Sequence, residues 1–146
     1  LANLTLHGWK VQGFIADTTT YYYETENRDE AHYLCALLNA PSIDTAIKPY
    51  QTKGAFGAQK GKGERHIHRR PFEVVPLPRY DSGNPHHRRL AELSQAAHER
   101  VRAFLADTRP EKLPQSIGKL RSLIRKSVIN TQLEQIDDII RTQLRG

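Results

Sequence analysis

The sequence predicts an α+β fold: a small mixed α/β domain over residues 1–83, followed by an amphipathic helical segment over residues 84–146. Three observations lead there. Runs of β-branched and aromatic residues fall near the start of the chain, apolar residues at helical spacing dominate after Asn84, and a basic, glycine-bearing stretch separates the two. With 146 residues and 38% hydrophobic content, the chain is long enough and apolar enough to bury a core.

His7 to Ala16 reads as a strand with Trp9 and Val11 packing inward. Thr18 to Glu24 reads as a second, in which alternation sets Tyr21 and Tyr23 on one face and Tyr22 on the other. Asn27 then caps a helix whose first turn carries Asp29 and Glu30, acids that suit the positive helix end. That helix should run to about Leu38, with Asn39 taking a left-handed stop and Pro41 blocking continuation. A shorter helix is expected over Ser42 to Ile47, a short strand over Arg65 to Arg69, and one helical turn over Pro71 to Val75. Pro76 and Pro78 force an extended exit.

Asn84 and Pro85 supply a cap and a first helical residue for a long helix. Its apolar stripe is Leu90, Leu93, Ala97, Val101 and Phe104 or Leu105. After a break over Thr108 to Pro114, Ile117, Leu120, Ile124 and Val128 form a second stripe. Leu133, Ile136, Ile140 and Leu144 form a third, and the two join or bend around Asn130. Such stripes bury against other helices.

The net charge of +6 is concentrated in one place. Lys48, Lys53, Lys60, Lys62, Arg65, Arg69 and Arg70 lie in a window whose only acid is Glu64, and elsewhere cations and acids cancel. Gly54, Gly57, Gly61 and Gly63 run through that window, together with Tyr50 and Phe56. Concentrated positive charge of this kind points to a polyanionic partner, against the alternative of a merely solvated basic loop. The sole cysteine, Cys35, excludes an internal disulfide, fits a reducing cytoplasmic setting, and reads as a small core residue within Tyr33-Leu34-Cys35-Ala36-Leu37-Leu38. No apolar run approaches the roughly 20 residues needed to cross a bilayer, so no membrane partner is expected. The start does not read as a signal peptide, and the lack of any Met reads as a piece cut from a longer chain.

No glycine-rich phosphate or dinucleotide loop is present, so no cofactor is expected in this chain. Asn84-Pro85-His86-His87 superficially resembles the Asn-Pro-Pro-aromatic motif of adenine methyltransferases, but it lacks the aromatic residue and stands where a helix needs its cap. His66 with His68, and His86 with His87, fall short of the three or four convergent ligands that zinc requires, so no metal site is assigned. Glu64 and Glu73 are the carboxylates nearest the basic window. They carry an alternative reading as a nuclease or other hydrolase, and no catalytic residue is assigned.

Several segments in order carry a family resemblance. They are Tyr33-Leu34-Cys35-Ala36-Leu37-Leu38-Asn39-Ala40-Pro41, the basic glycine-bearing loop, His66-Ile67-His68-Arg69-Arg70-Pro71-Phe72, Val75-Pro76-Leu77-Pro78-Arg79-Tyr80, and Asn84 to Leu93. Residues from Thr18 to about Glu99 resemble the target-recognition (specificity) region of N6-adenine DNA methyltransferases, most closely those of fused type II restriction–modification enzymes, and more distantly the specificity subunits of type I systems. Ala40, Val75 and Leu77 replace the family's usual serine, leucine and isoleucine. The resemblance implies an α+β recognition domain over residues 1–83 that binds double-stranded DNA, and a helical spacer or docking segment over residues 84–146. Methylation, with S-adenosylmethionine, would belong to a methyltransferase domain of the same longer polypeptide or of a partner subunit. The expected DNA-binding residues are Lys48, Tyr50, Lys53, Phe56, Lys60, Lys62, Arg65, His68, Arg69 and Arg70. A third reading makes the chain a helical protein-interaction module.

Overall fold

A computed structural model describes residues 4–6, 9–11, 24–50, 52–53, 65–66, 73, 75 and 77–144. Among the described residues, five α-helices form the body: α1 (Arg28–Asn39), α2 (Pro41–Ile47), α3 (Pro85–Asp107), α4 (Ile117–Leu123) and α5 (Asn130–Ile139). Helix α4 runs on into a π-helical turn, Ile124–Val128, and α5 into another, Ile140–Leu144. Two antiparallel ladders pair β1 (Leu4–Leu6) with β2 (Trp9–Val11) and β3 (Thr52–Lys53) with β4 (Arg65–His66).

The α+β expectation is therefore corrected. The described core is all-α, built from helical residues, the α1–α2 junction residue Ala40, and Val75. Ladders of two or three residue pairs are too short to present a sheet face on which helices could pack, whereas α1 and α3 lie against each other along their apolar stripes. The single strand expected from His7 is instead the pair β1 and β2, with Leu6 opposite Trp9. The strand expected over Thr18 to Glu24 falls outside the described residues except Glu24, which is not in a strand. Of the strand expected from Arg65, the first two residues pair as β4. Among the described residues, no helix is long and apolar enough to cross a membrane.

The Asn27 cap forms: its side chain accepts from the backbone N–H groups of Asp29 and Glu30 at 3.0 and 3.2 Å. The reciprocal half of the capping box runs through a hydroxyl. Thr25 Oγ1 donates to Glu30 at 2.6 Å and accepts from the Asn27 N–H at 3.0 Å. Helix α1 does not stop on a left-handed Asn39. Asn39 is its last helical residue, and Ala40 breaks the helix with an extended backbone, φ −67° and ψ 133°. Pro41 explains this, since it disfavours helix in the residue before it and suits the first position of the next helix. No side chain of its own segment caps α2, but the Ser42 N–H donates to Asp137 Oδ1 of α5 at 2.7 Å.

In α3 the buried residues His87, Leu90, Ala91, Leu93, Ser94 and Ala97 repeat at helical spacing. The helix has 23 residues, about 34 Å long at 1.5 Å per residue, and its distal half emerges from the core. Val101 and Phe104 are half-buried, and Leu105 is exposed. The stripe of α5 buries Ile136 and Ile140. The stripe of α4 is shallower: Leu120, Ile124 and Val128 are half-buried, and Ile117 is 69% exposed. The chain bends between α4 and α5 at Ile129, φ −120° and ψ 16°. Residues from both sides of position 84 share one core, in which Tyr33, Leu37 and Ile43 pack with Leu90, Ile136 and Ile140.

Candidate nucleic-acid interface

The basic window leaves the core at Ile47 and the chain returns to it at Val75, residues that are 7% and 3% exposed within one apolar cluster. At the exit, Lys48 ends α2 and pairs with Asp44 at 2.6 Å. Both partners are about half exposed, and an i,i+4 pair of this kind contributes only about 0.3–0.5 kcal/mol. Tyr50 closes a 3-10 turn, Lys48–Tyr50, with its ring 41% exposed.

Beyond the turn, β3 and β4 set Thr52 opposite His66 and Lys53 opposite Arg65. The ladder closes a hairpin whose connection, residues 54–64, contains Phe56, Lys60 and Lys62. Thus the structure brings Lys53 and Arg65 together at the base of the hairpin. Phe56, Lys60, Lys62, His68, Arg69 and Arg70 lie outside the described residues.

The return is fastened by three rings that the sequence reading did not assign to this task. The Tyr33 hydroxyl, on α1, donates to the Pro78 carbonyl at 2.8 Å. Tyr33 is fully buried, and burial pushes its phenol up to about 12, so it stays a donor. Its ring packs 4.6 Å from that of His87 and 5.4 Å from that of Tyr80. His87 Nδ1 accepts from the Asp81 N–H at 3.0 Å. Asp81 in turn organises the turn into α3: its side chain accepts from the Gly83 N–H and its carbonyl from the Asn84 N–H. Asn84 Oδ1 accepts from the His86 N–H, so Asn84 is committed to capping α3, as its place before Pro85 suggested. The only sequence signal for the His87 role is its helical spacing from Leu90, Ala91 and Ser94; a histidine is easily left off an apolar stripe.

A pH dependence follows from His87. Accepting at Nδ1 requires the neutral ring, and burial lowers its pKa below the ordinary 6.5, outweighing the nearby Asp81 carboxylate. The unfolded chain therefore binds the proton more readily. The stability from this group is present above pH 6.5 and is lost as pH falls through the depressed folded value. His32, also lowered mainly by burial, acts in the same direction. The urea midpoint is expected to fall between pH 7 and 5.5, and more shallowly in His87→Asn. A midpoint that is flat over this range, or equally steep in the variant, contradicts the assignment.

No protein-family model matches the chain, and comparisons with curated proteins and with solved structures find no significant match.

Proposed function

We propose that this chain is a sequence-specific double-stranded DNA recognition module of a restriction–modification methyltransferase. In this reading it positions the duplex for N6-adenine methylation by a methyltransferase domain outside this chain, which holds the S-adenosylmethionine, and it acts in the cytoplasm. One observation carries the reading. The window from Lys48 to Arg70, which holds the whole net charge of the chain, lies on an excursion that starts and ends on the same helical core, at Ile47 and Val75, and is paired by the β3–β4 ladder. A charged excursion anchored at both ends presents its cations from a fixed base, and so loses less conformational freedom on binding than a loose tail. Lys53, Lys60 and Lys62 serve as phosphate contacts that set register along the backbone. Arg65 and Arg69 are assigned to base edges, because an arginine donating to guanine is the commonest specific contact. Tyr50 and Phe56 pack on sugars or support the loop.

The test is duplex binding measured by fluorescence anisotropy across a salt series. Log affinity should fall linearly with log salt, with a slope of roughly −0.9 per neutralised phosphate. In the Lys60→Ala, Lys62→Ala double variant, binding to every sequence should weaken and the slope should flatten by up to about 2 units. A chain that binds no duplex, or whose binding ignores salt, is not the module proposed.

A further inference from the structure

Helices α1, α3, α4 and α5 and the π-helical turn after α4 surround a cavity of about 360 Å³. Its floor is apolar and buried: Ala36 and Ile136 are each 2% exposed and Ala97 is 8% exposed. Val101, Ile124 and Leu133 continue the apolar wall and are half-buried. The π-helical turn builds part of that wall. The Ile129 N–H donates to the Ile124 carbonyl, five residues back, at 3.1 Å, and both residues line the cavity. A π-turn within a helix is rare and occurs frequently at functional sites.

The polar side chains on the α1 and α3 walls are engaged within the protein. Asn39 Nδ2 donates to the Cys35 carbonyl at 2.9 Å, His98 Nδ1 lies 2.7 Å from the Ser94 carbonyl, and Ser94 Oγ lies 3.4 Å from His32 Nδ1. The charged lining is different. It consists of Arg121 on α4 and Arg125 four residues on, and no aspartate or glutamate joins them. Both arginines are exposed, and neither forms an ion pair among the described residues. The acids of the neighbouring cleft that Arg125 also borders have other partners. Glu134 accepts from Asn130 at 2.8 Å, and Asp137 binds Arg141 at 3.2 Å and the Ser42 N–H at 2.7 Å. A buried apolar floor thus meets an exposed rim that carries two arginines and, among the described residues, no opposing carboxylate.

We propose that this cavity binds a small amphipathic anion, an aliphatic carboxylate of medium chain length. Its chain lies against Ala36, Ala97, Leu133 and Ile136, and its carboxylate meets Arg121 and Arg125 at the rim. Ligand sites span roughly 300–1,000 Å³, are mostly apolar with a few polar groups, and occur between the helices of bundles. This cavity stands near the lower end of that range, which suits one short chain and excludes a two-chain lipid. The charge of the rim sets the sign of the ligand. A cation of the same shape is repelled, and a neutral alcohol gains the apolar contact without the charge-assisted hydrogen bonds that arginine donates to a carboxylate. The site is independent of the DNA reading, because none of its residues lies in the basic window.

Titration of the whole chain with sodium octanoate, followed by methyl NMR, tests the assignment. Shifts should concentrate on Val101, Ile124, Leu133 and Ile136, saturate at one octanoate per chain, and leave Ile43 on α2 unmoved. In the Arg121→Gln, Arg125→Gln double variant, octanoate affinity should fall about tenfold, the scale expected for two exposed charge pairs. Both positions are exposed, so the fold should be retained. 1-Octanol and octyltrimethylammonium should each bind the native chain about tenfold or more weakly than octanoate. Val101→Trp, which places a large ring in the cavity, should abolish the shifts. The proposal is overturned if these methyls do not respond, if the arginine variant binds octanoate as tightly as the native chain, or if octanol matches octanoate. If Val101→Trp fails to fold, the arginine variant and the octanol comparison decide by themselves.

Discussion

Replacing Lys60, Lys62, Arg65 and Arg69 together with alanine is expected to remove most duplex affinity while leaving the helical core intact. These cations supply four of the seven positive charges between Lys48 and Arg70. If all four meet phosphates, the salt slope should flatten by about 3.6 units, at roughly 0.9 per contact. If Arg65 or Arg69 instead reads a base, it should carry about 1–3 kcal/mol on the cognate site, and its loss should relax specificity rather than only weaken binding. The two roles separate by comparing cognate with unrelated duplexes: phosphate contacts change both alike, and a base contact changes the difference between them. The fold should survive, because the core is closed by Ile47 and Val75 on either side of the replaced residues. A variant with unchanged circular dichroism, unchanged affinity and unchanged slope would reduce the basic segment to a solvated surface and remove the basis for the proposed function.

Truncating Leu90 to alanine should give the largest loss of stability among single truncations along α3. Leu90 is fully buried on the N-terminal half of α3, the half that packs into the core with α1. Removing a buried leucine costs about 2–5 kcal/mol, depending on how far the neighbours collapse into the space. Against a total of roughly 5–15 kcal/mol for a domain, this is a substantial fraction. The same truncation at Leu105, 39% exposed on the distal half of the helix, should change stability by only about 0.5 kcal/mol. Urea unfolding of the two variants measures the contrast directly. Similar midpoints would mean that the α1–α3 contact does not hold the domain together. Because Val75 shares the cluster with Leu90, the loosened variant should also lose DNA affinity, in proportion to its unfolded fraction.

The sequence by itself determined whatever depends on neighbours within one helical turn. Asn27 and Asn84 cap helices where their side chains reach N–H groups two or three residues on. The stripe Leu90, Leu93, Ala97 is buried because its spacing keeps those residues on one face, and the excess charge of the basic window is a property of composition alone. Tertiary structure decided everything that depends on partners tens of residues apart. Asp137 caps α2 from 95 residues away, where no local side chain does so. Tyr33 reaches Pro78 across 45 residues, and that contact, with Val75, turns the extended exit into an anchor. Cys35 looked like a core residue because its run is apolar, yet it is half-buried and lines a cavity together with Ser94 and His98 of α3. The fold class was missed for the same reason. Strand-forming composition is local, but a sheet needs long-range pairing, and the described pairing is confined to ladders too short to make a packing face. Helices satisfy their own backbone hydrogen bonds, so they need only an apolar stripe to meet another, and here those stripes built the core.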